Sequence, residues 1–178
     1  MEVSTPIFQI GFKGDRVTDG IDTLRLQLLG DLSAQVLAGA SAPLYASLYE
    51  QGLINDEFEC GCELYPGCVF LYAGGESRDP EEVRSRLLAE AARIAAEGID
   101  PKLWERLKKA AYGNRVRELD SFEALCVGQA QNFFLGADAL AFPEIFDGLS
   151  AEDARKLLAQ WVTSERTTLS VVWPKEGA

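Results

Sequence analysis

The chain has 178 residues, of which 47% are apolar, 25% charged and 10% aromatic, a composition typical of one globular domain. Its 28 acidic and 17 basic residues give a net charge of −11, which argues against nucleic acid and anionic lipid as partners. The absence of histidine excludes the commonest general base, the usual zinc ligand and every histidine-dependent catalytic triad.

Nothing in the sequence indicates a membrane span or a secretion signal. The longest uncharged run, from Leu32 to Tyr49, carries several polar residues and a proline, so we interpret it as buried helix. No basic segment followed by an apolar one opens the chain, which favours a cytoplasmic location. Met1 is the only methionine and a strand-like run follows it closely, so we expect residues 1–178 to be a single domain of a longer chain.

The N-terminal part predicts a strand, a long helix and a short helix. Residues 5–13 alternate with Phe8, Ile10 and Phe12 on one side, as in a strand. A helix then begins at an N-cap at Asp19 and continues to about Val36, where the AGASAP segment interrupts it. Its apolar positions at helical spacing are Ile21, Leu24, Leu28, Leu29, Leu32 and Val36.

After the short helix the spacing of the apolar residues changes from helical to every second position. Residues 42–52 predict a helix with Leu44, Tyr45 and Leu48 on one face, ended by Gly52. The next residues alternate between an apolar set (Phe58, Cys60, Cys62 and Leu64) and an acidic set (Glu57, Glu59 and Glu63). A Tyr-Pro-Gly turn at residues 65–67 then returns the chain as a paired strand with Cys68, Phe70 and Tyr72.

The C-terminal part is mostly helical. Asp79, Pro80 and Glu82 predict a capping box, and Gly98 ends that helix. Its inward residues are Val83, Leu87, Ala91 and Ile94. Further helices are predicted after Asp100, after Asp120 or Ser121, and after Ser150, with inward residues Leu103, Trp104, Leu107, Ala111, Leu157, Leu158 and Trp161. A closing strand, residues 167–173, places Leu169, Val171 and Trp173 on one side.

The element order β, α, β, β, α, β with extra helices predicts an α+β fold. This order is that of a ferredoxin-like split β-α-β two-layer sandwich, with one face of a single sheet covered by helices. The other face would then remain open to a partner domain or a second copy, so the isolated domain is expected to self-associate.

Several candidate sites have simpler structural interpretations. Cys60, Cys62 and Cys68 could bring three thiolates together, but C-x-C-x5-C without histidine matches no common metal spacing, and buried cysteines are ordinary core residues. The acidic face could bind a cation or a basic peptide, or simply be solvated. The AGGES segment, residues 73–77, lacks the lysine of a phosphate-binding loop and favours a turn. The basic residues Lys108, Lys109, Arg115 and Arg117 lie on a predicted helix with Glu105 and Glu118 interleaved, as on an exposed helix face.

The chain resembles the non-catalytic C-terminal domain of the insulinase/pitrilysin zinc metallopeptidases, especially bacterial members. The resemblance is carried by TPIFQIGFK, SAPLYASLYEQGLI, ESRDPEEV, LKKAAYGNRVRELDSFEAL and LSVVWP, in that order from Thr5 to Pro174. It implies repeated α/β sandwich domains that close around a chamber and cut unfolded peptides. It also implies no cofactor in this chain, with the zinc and its H-x-x-E-H motif in a companion N-terminal domain or a homologous subunit.

The resemblance further implies which residues touch substrate. Active members place an arginine and a tyrosine near the end of the short helix and the start of the next strand, and these positions fall on Tyr49 and Asn55 here. The pair is therefore absent, which argues against direct catalytic help from this domain. We expect Tyr49, Asn55, Glu57 and Glu59 to contact an unfolded peptide substrate.

Three functions stay open at this point. The chain is a wall of the peptide-binding chamber of a zinc metalloendopeptidase, a domain of an inactive homologue that acts as scaffold or regulatory subunit, or a free-standing binding module with its cysteines on a metal. An upstream H-x-x-E-H sequence would separate the first from the second, and metal analysis would test the third.

Overall fold

The computed structural model describes residues 4–16 and 20–175. Within them the chain forms, in order, β1 (Ile7–Lys13), α1 (Ile21–Ala38), α2 (Pro43–Glu50), β2 (Glu59–Tyr65), β3 (Cys68–Glu76), α3 (Pro80–Glu97), α4 (Pro101–Glu118), α5 (Phe122–Phe134), α6 (Phe142–Asp147), α7 (Ala151–Trp161) and β4 (Thr167–Val172). Two short 3-10 segments, Ala139–Ala141 and Ser164–Arg166, precede α6 and β4.

The four strands form one antiparallel sheet in the order β2-β3-β1-β4. Strand β3 lies between β1 and β2, and β1 lies between β3 and β4, which is the split β-α-β arrangement. The predicted fold class is therefore confirmed. Helices cover one face of this sheet, and the alternate residues that face them are largely buried.

The core lies between the sheet and the helical layer. From the sheet it receives Phe8, Ile10, Phe12, Cys62, Val69, Leu71 and Ala73. The helices contribute the predicted inward residues, including Leu48, Val83, Leu87, Ile94, Leu157, Leu158 and Trp161. Each fully buried side chain of this kind stabilises the fold by about 1.5–3 kcal/mol relative to exposure. The predicted periodicity of these elements is confirmed.

The predicted helix caps are mostly confirmed. Asp79, Asp100, Ser121 and Ser150 each accept a hydrogen bond from a backbone N–H in the first turn of α3, α4, α5 and α7. Only one of the two bonds of the predicted capping box at α3 forms. The Glu82 carboxylate accepts from Arg86 at 2.7 Å, and the Asp79 N–H donates instead to the Ser77 hydroxyl. The predicted cap at Asp19 lies outside the described residues.

The turn predicted at the AGGES segment is wrong, because its two glycines lie in a strand. Gly74 and Gly75 lie inside β3, which continues to Glu76. A Cβ at Gly75 would lie 2.9 Å from the Cα of Phe58, so this glycine lets the chain entering β2 approach the strand closely. The predicted Tyr-Pro-Gly turn is confirmed, with Gly67 at φ 77°.

Other differences concern the ends of elements. The uncharged run Leu32 to Tyr49 is divided between α1 and α2, with a break at residues 39–42 where the AGASAP segment was predicted to interrupt the helix. None of the helices in the described part of the chain is both long and apolar enough to cross a membrane. Helix α6 was not predicted, and Trp173 lies beyond the end of β4 with 61% of its surface exposed.

Candidate functional site

The α2–β2 junction has both buried and exposed residues. Leu48 is fully buried and Ile54 is 4% exposed, whereas Tyr49 is 52% exposed. Gly52, at φ 64°, supplies the left-handed residue that ends the helix and turns the chain toward β2. The junction therefore anchors the helix in the core and leaves Tyr49 outside.

Tyr49 is the exposed end of a row of aromatic rings. Its ring stacks on Tyr45, with centroids 6.0 Å apart and planes 13° from parallel. Tyr45 contacts Phe58 at 6.0 Å, and Phe58 contacts Phe8 of β1 at 6.4 Å. Such offset pairs stabilise by about 0.5–1.5 kcal/mol beyond their buried area. The row holds the Tyr49 ring in place while one side of it stays open to solvent.

Asn55 is engaged inside the domain. Its side-chain amide donates to the Glu76 carboxylate at 3.0 Å, and its side-chain oxygen accepts from the Glu57 N–H at 3.1 Å. Its backbone carbonyl accepts from the Phe58 N–H at 3.2 Å. Asn55 thus fixes the turn before β2 to the end of β3, and these contacts engage both the nitrogen and the oxygen of its side-chain amide.

The uncovered face of the sheet, here called the outer face, carries the acidic set. The residues that alternate outward are Ile7, Gln9, Gly11, Lys13, Glu59, Gly61, Glu63, Tyr65, Cys68, Phe70, Tyr72, Gly74, Glu76, Thr168, Ser170 and Val172. Glu59 and Glu63 are exposed, and Tyr65 is 54% exposed. Glu57 is also exposed but lies in the turn before β2, outside the strand in which it was predicted.

Tyr72 organises the acidic part of the outer face. It pairs with Gly61 across the β2–β3 ladder, and Glu59 and Glu63 are its diagonal neighbours. A Cβ at Gly61 would lie 2.9 Å from the Tyr72 ring and hydroxyl, so the ring lies across the glycine. Burial, followed by the charges of Glu59 and Glu63, raises the pKa of Tyr72. The arrangement is a neutral phenol ring between two carboxylates, which suits a cationic side chain.

The four predicted contact residues come from three parts of the fold: α2, the turn before β2, and β2 itself. The described contacts join Asn55 to Glu57 and Tyr49 to Tyr45, but none of them joins Tyr49 to either glutamate. Tyr49 belongs to the helical layer, and Glu59 belongs to the outer face. Tyr72 was not predicted from the sequence as a site residue. Its position opposite a glycine in the predicted hairpin could have identified it.

Side chains of α1 cover the free edge of β2. Gln27 donates to the Cys62 carbonyl at 2.8 Å, Asp31 accepts from the Cys62 N–H at 3.2 Å, and Gln35 donates to the Cys60 carbonyl at 3.4 Å. The three polar residues recur at every fourth position of α1, which places them on one face. They satisfy backbone groups that an edge strand otherwise offers to other chains.

Asp31 should make stability depend on pH. Burial raises its pKa from 3.8, partly opposed by hydrogen bonds from Gln27 and the Cys62 N–H. Because the folded value lies above the unfolded one, the stabilising contribution is complete below the unfolded pKa and is lost as pH rises through the folded pKa. The free energy of unfolding should therefore fall, relative to Asp31→Asn, as the pH rises above the ordinary pKa of an aspartate.

Urea unfolding at several pH values measures this difference. Asn keeps the oxygen that accepts from Cys62, so the variant should remain folded. Asp22→Asn, at an exposed position of the same helix, is the control and should parallel the wild type. A constant difference between wild type and Asp31→Asn across the pH range would contradict the assignment.

The cysteines are divided between the two faces of the sheet. Cys60 and Cys62 face α1, whereas Cys68 pairs with Tyr65 on the outer face. The idea that three thiolates approach one another is therefore wrong, because residues 62 and 68 have opposite orientations in the hairpin. The described residues contain no group of three or more histidine, cysteine, aspartate or glutamate side chains able to hold a metal ion.

Thiol reactivity should follow this division. Burial, with the nearby charges of Glu59 and Asp31, raises the pKa of Cys60 to about 12, and burial also raises that of Cys62. Cys68 and Cys126 are exposed. Brief alkylation of the native chain followed by mass spectrometry should show two adducts, and unfolding should raise the number to the four that the sequence contains. Labelling of Cys60 or Cys62 at the same rate as Cys68 would contradict this.

The chain is similar in sequence to peptidase-family proteins. A family profile described as the peptidase M16 inactive domain matches residues 1–111. The uncharacterized zinc protease YmfH of Bacillus subtilis is 27% identical over 180 residues, which include 98% of this chain and 41% of YmfH. The chain thus spans less than half the length of that relative.

Solved structures with the same fold include both long and short chains. A candidate M16-like peptidase from Alicyclobacillus acidocaldarius superposes with a TM-score of 0.90 at 23% identity, covering 98% of this chain and 42% of that one. The inactive peptidase domain of a candidate zinc protease from Bordetella parapertussis superposes with a TM-score of 0.80 at 16% identity, covering 100% of this chain and 95% of that one.

Proposed function

Because this chain belongs to the peptidase M16 inactive domain family, we propose that it forms the wall of a peptide-binding chamber opposite the zinc-binding domain of a metalloendopeptidase. Membership confirms the resemblance to the insulinase/pitrilysin peptidases, and such domains occur within larger zinc proteases. The observation that carries the proposal is the outer face of the sheet, which no described helix covers. An antiparallel sheet with one uncovered face can accept a protein or peptide opposite it.

The outer face suits an extended peptide with basic side chains. Glu59 and Glu63 project from one strand on either side of Tyr72, and Glu57 lies just before that strand. Carboxylates attract lysine and arginine side chains, and the face of a tyrosine ring adds a cation–π contribution of about 0.5–1 kcal/mol at an exposed site. The role of these residues is to bind and orient the peptide.

We assign hydrolysis of the peptide bond to the companion domain. Zinc bound there would polarise the peptide carbonyl and lower the pKa of the attacking water. The donor set of this chain does not fit a zinc site, because it has no histidine and its two adjacent thiols are held protonated beneath α1. This chain therefore contributes peptide binding and exclusion of water, while the companion domain cleaves.

Replacing Glu57 and Glu59 with glutamine in the two-domain protein should selectively weaken cleavage of basic peptides. We expect kcat/KM for lysine- and arginine-rich peptides to fall about 3- to 10-fold, since exposed charge pairs contribute about 0.2–1 kcal/mol each. Neutral peptides should be cleaved as before. Glu81→Gln/Glu97→Gln, on α3 in the helical layer, makes the same change in net charge and is the control. Equal losses on all peptides, or the same loss in the control, would contradict the proposal.

One observation favours a second function, a scaffold or regulatory subunit of an active partner. At the positions where active relatives carry an arginine and a tyrosine, this chain has Tyr49 and Asn55, and Asn55 is engaged with Glu57 and Glu76. This position therefore has no charged group to hold a substrate. An adjoining zinc domain that lacks H-x-x-E-H would support the scaffold, and an intact motif would support the peptidase.

The proposal includes a cytoplasmic location. All four cysteines are unpaired, and two of them are exposed. Exposed unpaired thiols suit a reducing compartment, where disulfides rarely form. Fractionation of cells that express the whole protein tests this part, and recovery outside the cytoplasm would contradict it.

A further inference from the structure

Strand β4 is the open edge of the sheet. The strand order places β2 at one edge and β4 at the other, and side chains of α1 bond the free backbone groups of Cys60 and Cys62 in β2. Among the described residues, no hydrogen bond closes the free side of β4 in this way. An edge strand left open offers its N–H and C=O groups to another chain.

The hydrogen-bond pattern identifies the free groups of β4. The Gly14 N–H donates to the Val69 carbonyl of β3, and bonding directions alternate along an antiparallel strand. The even-numbered residues of β1 therefore bond to β3, and the odd-numbered ones bond to β4. Because the register pairs odd residues of β1 with even residues of β4, the odd residues of β4 point their N–H and C=O groups away from the sheet. These residues are Thr167, Leu169 and Val171.

The sequence of β4 favours the addition of a strand. Residues Thr167–Val172, TTLSVV, contain no charged residue, proline or glycine, and most of them are β-branched. Natural edge strands commonly carry a lysine or a proline that prevents pairing with another chain. The open edge of β4 is therefore suited to accept an antiparallel strand.

An exposed ring and an apolar groove lie at opposite ends of this edge. Trp173, directly after β4, is 61% exposed. A groove of about 630 Å³ lies between α3 and the end of α7 and reaches Thr163 and Ser164, which lead into β4. Leu88, Val162 and alanines of both helices line it. A tryptophan side chain buries about 150–250 Å² when it is enclosed, so each feature can complete the other.

Two copies of the chain bring these features together in one register. We consider two β4 strands that pair antiparallel about a twofold axis at Ser170, so that Trp173 of each copy lies opposite Thr167 of the other. Opposite residues of an antiparallel pair project from the same face of the sheet. Thr167 alternates with Leu169 and Val171, which pack against the core. Trp173 therefore projects on the helical side, next to the groove of the other copy.

The charges beside β4 are complementary in the same register. Glu165 precedes the strand and Lys175 follows it, and both are exposed. Pairing about Ser170 places Glu165 of each copy opposite Lys175 of the other, whereas pairing about Leu169 places it opposite Trp173. The first register thus forms two contacts between opposite charges, as expected of a self-complementary twofold interface.

We propose that two copies of this chain associate through β4, with Trp173 of each copy inserted in the alanine-lined groove of the other. The two four-stranded sheets then join edge to edge. Both outer faces lie on the same side of the joined sheet and take no part in the contact. This association goes beyond the proposed function, because it requires neither zinc nor peptide.

Disulfide trapping at the twofold axis tests the register. Ser170 would face Ser170 of the other copy in a pair without hydrogen bonds, where Cα atoms are about 4.5 Å apart and a disulfide can form. In a chain whose exposed thiols are removed by Cys68→Ser and Cys126→Ser, Ser170→Cys should give a covalent dimer on mild oxidation. Thr168→Cys is the matched control, because its counterpart would lie more than about 13 Å away. A dimer from neither variant, or equally from both, would overturn the inference.

Sedimentation equilibrium measures the affinity without a cross-link. Trp173→Ala removes the inserted ring, and Ala92→Phe fills the groove, so each should weaken dimerisation by at least about tenfold. Phe122→Ala, at a position on α5 that is 83% exposed, is the control and should dimerise as the wild type does. Circular dichroism confirms that each variant is folded. A monomeric wild type, or equal losses in Trp173→Ala and Phe122→Ala, would overturn the inference.

Exchange of the two charges supplies an independent arm. Glu165→Lys should weaken dimerisation about 2- to 10-fold at low salt, because it replaces two attractive contacts with two repulsive ones. Adding Lys175→Glu should restore the affinity, since each pair again joins opposite charges. Failure of the second change to restore it would contradict pairing about Ser170 and overturn the inference.

Discussion

Replacing Gly30 with valine should destabilise the domain by about 3 kcal/mol, since overpacking a tight core costs about 1–3 kcal/mol and the contact here involves the sheet itself. Gly30 lies at the middle of α1, where the helix crosses β2. A Cβ at this position would overlap the Cys62 sulfur and lie 2.9 Å from the Cys62 Cβ. The helix would have to move outward, which would break the bond that Gln27 donates to the Cys62 carbonyl and the bond that Asp31 accepts from the Cys62 N–H.

Urea unfolding measures this effect, with Gly113→Val as the matched control. Gly113 lies inside α4, where a Cβ would meet no neighbouring element within 4 Å, so the same change should alter the free energy of unfolding by less than about 0.5 kcal/mol. In a Cys62→Ala background the cost of Gly30→Val should fall by about 1 kcal/mol or more. Equal costs at Gly30 and Gly113 would show that α1 does not contact β2 this closely.

Replacing Leu48 with alanine should cost about 2–5 kcal/mol, as for other large-to-small changes in a core. Leu48 is completely buried at the end of α2 and lies directly before the junction that leads to β2. Tyr49→Ala, one residue later and 52% exposed, should cost only about 0.5–1.5 kcal/mol, the contribution of its stacking on Tyr45. Adjacent positions of one helix should therefore differ severalfold in their effect on stability.

The same pair separates packing from substrate contact. If the junction also faces peptide, Tyr49→Ala should raise KM for peptides in the two-domain protein while the domain stays folded. A similar loss of stability from Leu48→Ala and Tyr49→Ala would contradict the placement of Leu48 in the core and Tyr49 outside it.

Much of the architecture follows from local periodicity. The alternation of Phe8, Ile10 and Phe12 buries a continuous apolar face only if the segment is a strand. The spacing from Val83 to Ile94 does so only if the segment is a helix. Pro66 and Gly67 favour a tight two-residue turn, which sets the register of the hairpin. That register pairs Gly61 with Tyr72. Once the order of elements is known, the sheet order leaves few alternatives.

Long-range contacts were less accessible from the sequence. Whether Cys68 faces Cys62 depends on counting through a two-residue turn, and the structure excludes the possibility that the three thiolates approach one another. Asn55 looked free for substrate, but its amide binds Glu76, twenty-one residues away. The exposure of α5 was also not predicted, because its apolar residues resemble core positions in the sequence.

Peptide cleavage by the two-domain protein tests the proposed function most directly. An unstructured peptide mixture would be digested by the intact protein, by the protein with zinc removed by a chelator, and by the protein with this domain deleted. The chamber-wall function predicts cleavage by the intact protein only, restored when zinc is returned and when this domain is added back in trans. Undiminished cleavage by the zinc-binding domain alone would contradict it.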